Sequence, residues 1–307
     1  MMNEFMPRRP TIGVFDSGFG GLTVLKQLVH LVPNADYLYF GDTARLPYGS
    51  KSAETVARYA VQATHFLEQQ RASFLVIACN TATALALPQI IASSAVPVVG
   101  VIEPGAEIAA HQSRARKVVV IGTEATVASQ AYRHALEARG IRAREKACPL
   151  LVPLVEEGWV EHPVTEQVAS IYLAEAFADG FQDADILVLG CTHYPLLRPL
   201  LARVAPKTAT IVDSAHSTAQ FVAAQLPVPP TPAPPIEVLA AATPAEATAA
   251  AFRLKTAAAI AAANEPERRG ATRMRFYATD SVEKFQRLGA KFLGHPVKDV
   301  LHVDLKE

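Results

Sequence analysis

The sequence predicts an α/β fold made of two similar domains, each with a parallel sheet covered by helices. Apolar runs of strand length lack polar alternation, and they alternate regularly with helix-like stretches. Two segments in different halves also resemble each other, FLVIACNT at 74–81 and DILVLGCTH at 185–193. Ligands of such sheets gather at the carboxyl ends of the strands, so we expect Cys79 and Cys191 to open onto one ligand crevice between the domains.

Each element follows from this alternation of apolar runs and amphipathic stretches. Strands are predicted at 11–15, 37–40, 74–78, 96–102, 117–121, 142–147, 186–189 and 276–278. Helices are predicted at 22–31, 53–70, 125–139, 164–179 and 282–293. Short connections between strands and helices favour parallel sheets with right-handed crossovers.

Chain length and these repeats predict two domains. The 307 residues allow roughly two domains of ~150 residues each. We expect one discontinuous domain at 1–102 plus 211–307 and a second at 103–210. The proline-rich stretch at 227–235 favours extended structure, and the alanine-rich stretch at 240–263 favours helix. The region of about 227–270 is therefore interpreted as a surface insertion without a catalytic role.

Composition excludes several functional classes. Lys plus Arg number 29 and Asp plus Glu number 29, so no basic excess favours nucleic acid as a partner. Arg8 and Arg9 precede no apolar stretch of signal length, and no segment reaches membrane-spanning length, so a cytoplasmic protein without a membrane partner is expected. Three cysteines argue against a disulfide framework, and Cys148 is interpreted as a packing residue.

The segment DSGFGGL at 16–22 joins the first strand to the first helix. Its glycines permit positive backbone angles and the close approach of a ligand. The spacing is neither the Rossmann pattern nor a Walker A sequence, so a tight turn is the plain interpretation. Asp16 and Ser17 at a strand end favour a functional role, because amide donors at a helix start can hold a small anion.

The segment GDTARLPYG at 41–49 follows the second strand. Loops in this position commonly carry ligand contacts. From the local sequence it is equally consistent with a turn shaped by Pro47 and Gly49, in which Asp42 and Arg45 pair with each other.

The two cysteines carry the strongest chemical signal. A single buried cysteine is usually a small hydrophobic residue, but matched positions in two similar units favour function. A thiol with a reference pKa of ~8.5 needs a helix start or an acid-base partner to act as a base near neutral pH. Asp16 is the candidate partner of Cys79, and His193 that of Cys191.

Five motifs together resemble the glutamate racemase family of the aspartate/glutamate racemase superfamily. They are DSGFGGLTV at 16–24, GDTARLPYG at 41–49, VIACNTAT at 76–83, CPLLVPLVE at 148–156 and GCTHYPLL at 190–197. The match is collinear over most of the chain outside the Pro/Ala-rich region. The chain departs from the family near its C-terminus, where Thr279 is followed by Asp280 instead of the family's Gly.

The resemblance implies cofactor-independent interconversion of L- and D-glutamate, which supplies D-glutamate for peptidoglycan synthesis. It assigns Cys79 and Cys191 as the two acid-base residues, one on each face of the substrate α-carbon. Asp16 and His193 would tune them, and Glu156 would assist on the Cys191 side, with the adjacent Glu157 as the alternative carboxylate. The substrate-binding positions implied are Asp16, Ser17, Pro47, Tyr48, Gly49, Asn80, Thr81, Thr123, Thr126, Thr192 and His193. The sequence shows no nucleotide fingerprint, metal-ligand spacing or Schiff-base lysine, and it leaves room for a homodimer.

Three alternatives remain open at this stage: a racemase for another acidic amino acid such as aspartate, a dithiol redox protein, and a noncatalytic binder. A disulfide requires sulfurs ~2 Å apart. Two bases that flank one carbon, each at a reach of about 3.5 Å, require sulfurs about 7 Å apart. A binder is also compatible with the wider spacing, so kinetics must separate it from a racemase.

Overall fold

The protein is described by a computed structural model that covers residues 9–226, 236–238 and 272–305. Its strands form two separate parallel sheets with helices between the strands, so the α/β class predicted from the sequence is confirmed. The predictions for 227–235 and 240–263 lie outside the described residues. Within the described ranges, the helices are all too short or too polar to cross a membrane.

The first sheet has the strand order β11-β10-β2-β1-β3-β4, and β9 also pairs with β10. All of its pairings are parallel. Its strands are β1 (Thr11–Asp16), β2 (Asp36–Gly41), β3 (Phe74–Ile77), β4 (Val98–Gly100), β9 (Ile236–Val238), β10 (Thr272–Ala278) and β11 (Val300–His302). Strands β1 and β3, which bear the motifs at 16–22 and 76–83, are neighbours and end at the same edge.

The second sheet has the order β6-β5-β7-β8 and is also entirely parallel. Its strands are β5 (Lys117–Gly122), β6 (Arg142–Ala147), β7 (Ile186–Gly190) and β8 (Thr210–Asp213). Strand β7 is buried along its whole length, as its continuous apolar sequence predicts. Cys191 therefore follows a central strand of this sheet.

Eleven α-helices are found in the described residues. They are α1 (Leu22–Leu31), α2 (Ala53–Gln69), α3 (Asn80–Ser93), α4 (Ile102–Gln112), α5 (Glu124–Ala128), α6 (Ala131–Glu137), α7 (Leu151–Glu156), α8 (Pro163–Ala176), α9 (Arg198–Val204), α10 (Ser214–Gln225) and α11 (Val282–Leu293). Short 3-10 helices add Thr43–Arg45, Tyr48–Ser50 and Tyr194–Leu197. Helix α10 packs against both α1 and α4, so it joins the helical layers of the two sheets.

Several helices begin at a side chain that accepts a backbone amide hydrogen bond. Cys79 is the N-cap of α3 and accepts from Ala82 N at 3.4 Å. Thr123 is the N-cap of α5 and accepts from Thr126 N at 3.3 Å. Since these caps follow β3 and β5, the same local feature that starts the helix also places a reactive or polar group at the carboxyl edge of the sheet.

Several predicted elements differ from those observed; β10, for example, begins at Thr272, before the strand predicted at 276–278. The helix predicted at 125–139 is wrong as a single element, because Gln130 adopts a left-handed conformation with φ of 56° and separates α5 from α6. The strand predicted at 96–102 is shorter, Val98–Gly100, because Pro97 precedes it and α4 begins at Ile102.

Candidate active site

The loop after β1 lies between the two cysteine motifs. Asp16 and Ser17 come from this loop, and Ser17 Oγ is 3.4 Å from Cys79 Sγ. On the other side, Thr192 Oγ1 lies 3.5 Å from Asp16 Oδ1, and Thr23 Oγ1 donates to Thr192 O at 3.1 Å. The motifs at 76–83 and 190–197 therefore meet at a common loop, although more than a hundred residues separate them.

The glycines of this loop serve close packing. A Cβ on Gly20 would lie 2.2 Å from Thr192 Oγ1 and 2.6 Å from His193 Nδ1. The described glycines with positive φ are Gly140, Gly158, Gly180 and Gly294, so the glycines at 16–22 do not use the positive backbone angles that this residue permits. Glycine is needed here because the loop approaches the second cysteine motif more closely than any side chain allows.

Cys79 is almost fully buried next to the Asp16 carboxyl group. Burial and then the nearby Asp16 charge raise the pKa of its thiol to about 12, while the Ser17 hydroxyl acts in the opposite direction. Burial also raises the pKa of Asp16, whereas the positive charge of His193 acts to lower it. Cys79 is thus a protonated thiol at neutral pH, suited to donate a proton.

Cys191 has a different environment, which contains a histidine and a glutamate. Its Sγ is 3.9 Å from His193 Nδ1, and His193 Nε2 is 3.3 Å from Glu156 Oε1. Although burial opposes the charged imidazole, hydrogen bonding and charge from Cys191 and Glu156 raise the pKa of His193 to about 10. His193 is therefore an imidazolium at neutral pH, and a cation at this position attracts negative charge on the Cys191 sulfur.

Glu156 is the carboxylate that contacts His193. Although burial opposes its charge, His193 and then Lys284 lower the pKa of Glu156. The neighbouring Glu157 is exposed. The alternative assignment to Glu157 is therefore not supported by this geometry.

Three threonines form a hydroxyl cluster between the two sheets. Thr81 Oγ1 lies 2.9 Å from Thr123 Oγ1 and 3.3 Å from Thr126 Oγ1, and the last two are 2.9 Å apart. Gly49 lies beside this cluster, since a Cβ there would be 3.2 Å from Thr123 Cβ. Four of the residues implied by the resemblance are thus brought together.

Asn80 and Tyr48 are placed differently, because protein groups already engage their polar side chains. Tyr132 OH donates to Asn80 Oδ1 at 2.8 Å, and Asn80 Nδ2 is 3.4 Å from Ser214 Oγ. Tyr48 OH donates to the buried Asp42 at 2.5 Å and follows the cis peptide bond between Leu46 and Pro47. Any substrate contact of Tyr48 would have to come from its backbone.

The sequence left two interpretations of the loop at 41–49, a ligand-binding loop or a turn with an Asp42–Arg45 pair. Asp42 makes that pair and further contacts. It does pair with Arg45, at 2.8 Å from Nε, and it also accepts from Thr279 Oγ1 at 2.9 Å. This buried carboxylate fixes the loop at 41–49 to the end of β10. The sequence offered the Asp42–Arg45 pair as one of two alternatives, whereas Tyr132, Ser214 and Thr279 lacked any local signal of their contacts.

All three thiols are free in the structure, and Cys148 is fully buried. In the part of the chain that is described, no group of three or more His, Cys, Asp and Glu side chains is arranged to hold a metal ion. The arrangement provides a protonated thiol on one side and a thiol with an adjacent imidazolium on the other. A protonated thiol can donate a proton, and a thiol beside a cation can accept one once it is ionised.

Comparison with known proteins assigns the family. The model of the Asp/Glu/Hydantoin racemase family matches residues 12–222. The chain belongs to this family. It is therefore an enzyme of the racemase class, and both cysteine motifs lie inside the matched region.

Members with similar sequences and structures span nearly the whole chain. The glutamate racemase of Koribacter versatilis is 62% identical over 97% of this chain and 98% of its own. The crystal structure of the Thermus thermophilus glutamate racemase in complex with β-chloro-D-alanine is 41% identical, with a TM-score of 0.74 over 97% of this chain and 98% of that one. The Francisella tularensis glutamate racemase in complex with D-glutamate is 32% identical, with a TM-score of 0.76 over 97% and 98%.

Proposed function

We propose that this enzyme interconverts L- and D-glutamate without a cofactor, using Cys79 and Cys191 as its two acid-base groups. The observation that carries the proposal is the shared loop after β1, which contacts Cys79 through Ser17 and the Cys191 motif through Thr192. The substrate assignment rests on the relatives named glutamate racemase and on the one crystallised with D-glutamate.

In the proposed reaction, a substrate α-carbon lies between the two sulfurs. The thiolate on one face removes the α-proton, and the electron pair of the broken C–H bond moves toward the substrate carboxylate. The thiol on the opposite face then donates its proton to the same carbon. The configuration inverts, one thiolate becomes a thiol, and the other thiol becomes a thiolate.

The contacts of the two cysteines determine their resting states. Cys79 starts as the thiol, because burial and Asp16 raise its pKa. We propose Cys191 as the base that acts first, since the imidazolium of His193 lies beside its sulfur and Glu156 holds the charge on that ring. After one turnover the charges are reversed, and the Ser17 hydroxyl and the α3 amide of Ala82 stabilise the Cys79 thiolate.

Proton transfer by two thiols does not supply the whole rate enhancement. General acid-base catalysis contributes typically ~10²–10⁴-fold. Each preorganised donor to the developing charge contributes roughly 3 kcal/mol in comparable sites. We propose Ser17, Thr192 and the cluster of Thr81, Thr123 and Thr126 as such donors, together with the backbone amides of Tyr48 and Gly49.

A circular dichroism assay tests the reaction and its substrate. Purified enzyme, dialysed and without added cofactor, is expected to racemise L-glutamate and to leave L-aspartate almost unchanged. Faster conversion of aspartate would identify the alternative acidic substrate. Activity that depends on added pyridoxal phosphate or metal would contradict the cofactor-independent mechanism, and no turnover of either amino acid would favour a binder.

The wider context of the enzyme is proposed on the same resemblance. We infer that the enzyme is cytoplasmic and that the D-glutamate it forms is used for peptidoglycan synthesis. Complementation of a bacterial strain that requires D-glutamate tests this use. We propose two domains close to the predicted 1–102 plus 211–307 and 103–210, because the described strands before 101 and after 235 share one sheet and β5–β8 form the other. Since β8 (Thr210–Asp213) pairs with β7, we place the end of the second domain after 213. A homodimer is tested by sedimentation.

A further inference from the structure

Helix α11 covers the side of the candidate site that contains His193. The ring edge of Phe292 meets the His193 ring, with centroids 5.1 Å apart at 79°. Phe285 of the same helix packs on Phe19, with 5.8 Å between the ring centroids. A helix from the C-terminal part of the chain thus fixes one wall around the catalytic imidazole.

One charged residue of α11 reaches the glutamate behind that imidazole. Lys284 Nζ is 3.5 Å from Glu156 Oε2, while the other carboxylate oxygen, Oε1, faces His193 Nε2 at 3.3 Å. The ammonium group also lies over the Phe19 ring, 5.4 Å from its centroid. The two oxygens of Glu156 therefore have different partners, one on each side of the carboxylate.

We propose that Lys284 is a positioning residue for the Glu156–His193 pair, because it holds one carboxylate oxygen and so keeps the other on the imidazole. The terminal torsion of a glutamate is broad and prefers no single orientation. Glu156 is partly exposed, so without a second partner its carboxylate can rotate toward water. Lys284 opposes this rotation and acts on Cys191 only through Glu156 and His193.

A second lysine of α11 supports this orientation of the helix. Lys291 lies seven residues after Lys284, and its Nζ is 2.8 Å from the position that a Cβ on Gly158 would occupy. Gly158 follows the C-terminal end of α7, where the helix dipole favours a positive charge. Both lysines thus approach the end of the short helix that carries Glu156.

The inference predicts a specific effect on His193 with little effect on stability, because exposed ion pairs stabilise proteins weakly. ¹⁵N NMR of histidine-labelled enzyme gives the pKa of His193 without any turnover. We expect Lys284→Gln to lower this pKa by about one unit, the size of a weakened hydrogen bond between charged groups. Lys284→Arg retains the cation and should leave the pKa within a few tenths of the wild-type value. Lys298→Gln, at an exposed site after α11, is the matched control.

A double-mutant cycle decides whether Lys284 acts through Glu156. In a Glu156→Gln background, Lys284→Gln should produce no further change in the His193 pKa. An equal change in both backgrounds, or no change in the wild-type background, would overturn the inference. A rise in the His193 pKa would do the same, because it would show that the lysine acts mainly by charge repulsion.

A kinetic test of the same inference rests on the proposed function, because it measures racemisation of glutamate. We expect Lys284→Gln to lower kcat/KM for glutamate about tenfold, and Lys284→Arg to restore it. The loss should be equal in both directions, since the equilibrium constant between two enantiomers is unity. If wild-type enzyme fails to racemise glutamate, the proposed function fails, whereas the NMR result still decides the role of Lys284.

Discussion

Glu156 and His193 form a partly buried pair, with 3.3 Å between Oε1 and Nε2, while the other ring nitrogen of His193 lies 3.9 Å from Cys191 Sγ. Cys79 has no such relay among its described contacts, since its sulfur meets Ser17 and the α3 amide of Ala82. The two cysteines therefore occupy equivalent positions in the fold but differ in their electrostatic environment. In the proposed mechanism, this difference favours Cys191 as the base that acts first.

Glu156→Gln should lower kcat/KM about 10- to 100-fold, because the charge-assisted hydrogen bond to His193 contributes ~1.5–3 kcal/mol. Initial rates with both enantiomers, followed by circular dichroism, measure the effect. Glu157→Gln is the matched control, as this neighbour is exposed and does not face the ring. A larger loss in Glu157→Gln than in Glu156→Gln would reverse the assignment.

The same pair should make stability depend on pH in a defined way. The pKa of His193 is raised to about 10 in the folded state, so its contribution to the free energy of unfolding is full below about pH 6.5 and is lost as the pH rises through about 10. The pKa of Glu156 is lowered, so its contribution is present above about pH 4.3 and is lost at lower pH.

Urea unfolding of wild type and Glu156→Gln across this range measures the pair. We expect the difference in the free energy of unfolding to be largest between about pH 5 and 7 and to decrease as the pH approaches 10. A difference that grows toward pH 10 would contradict the charged pair. Glu157→Gln should unfold like wild type at every pH.

Ser17→Ala should make Cys79 less reactive as a thiol. The Ser17 hydroxyl lowers the pKa of Cys79, so its removal should raise that pKa and slow alkylation by iodoacetamide. Mass spectrometry of alkylated peptides follows Cys79 and Cys191 in the same sample. Cys191 serves as the internal control, and equal slowing at both cysteines would point to a general loss of access instead.

Tyr132→Phe tests whether the Asn80 side chain has a structural role. The substitution leaves Asn80 Oδ1 without its 2.8 Å donor in a buried site, at a cost of about 1–3 kcal/mol in the free energy of unfolding. KM for glutamate should change little. Tyr172→Phe, at a more exposed hydroxyl with a 3.4 Å contact, should cost less. A large increase in KM with unchanged stability would instead favour a substrate role for Asn80.

The sequence predicted the two parallel sheets and the placement of both cysteines because these depend on local apolar runs and on the geometry of parallel strands. It did not predict the break at Gln130, since glutamine is a good helix former and nothing in the local sequence indicates its left-handed φ of 56°. The C-terminal loop was also unpredictable. There Ser281 adopts φ of 50° and Thr43 Oγ1 donates to Asp280 O, a contact between residues far apart in sequence.

The sequence and the resemblance placed His193 and Glu156 on the Cys191 side, but neither indicated that Thr81, Thr123 and Thr126 form one hydroxyl cluster. Such contacts join loops from different sheets, so they depend on how the two halves pack. Lys284 lies in no motif, and its contact with Glu156 appears only when α11 is placed against α7.

Racemisation of each glutamate enantiomer in heavy water, with wild type, Cys79→Ala and Cys191→Ala, tests the two-cysteine mechanism most directly. Early in the wild-type reaction, we expect deuterium at the α-carbon of the product enantiomer and none in the recovered substrate, because one sulfur removes the proton and the other delivers a deuteron. Each cysteine variant should remain folded and lose racemisation. Full activity in either variant, or equal labelling of substrate and product in the wild type, would contradict the mechanism.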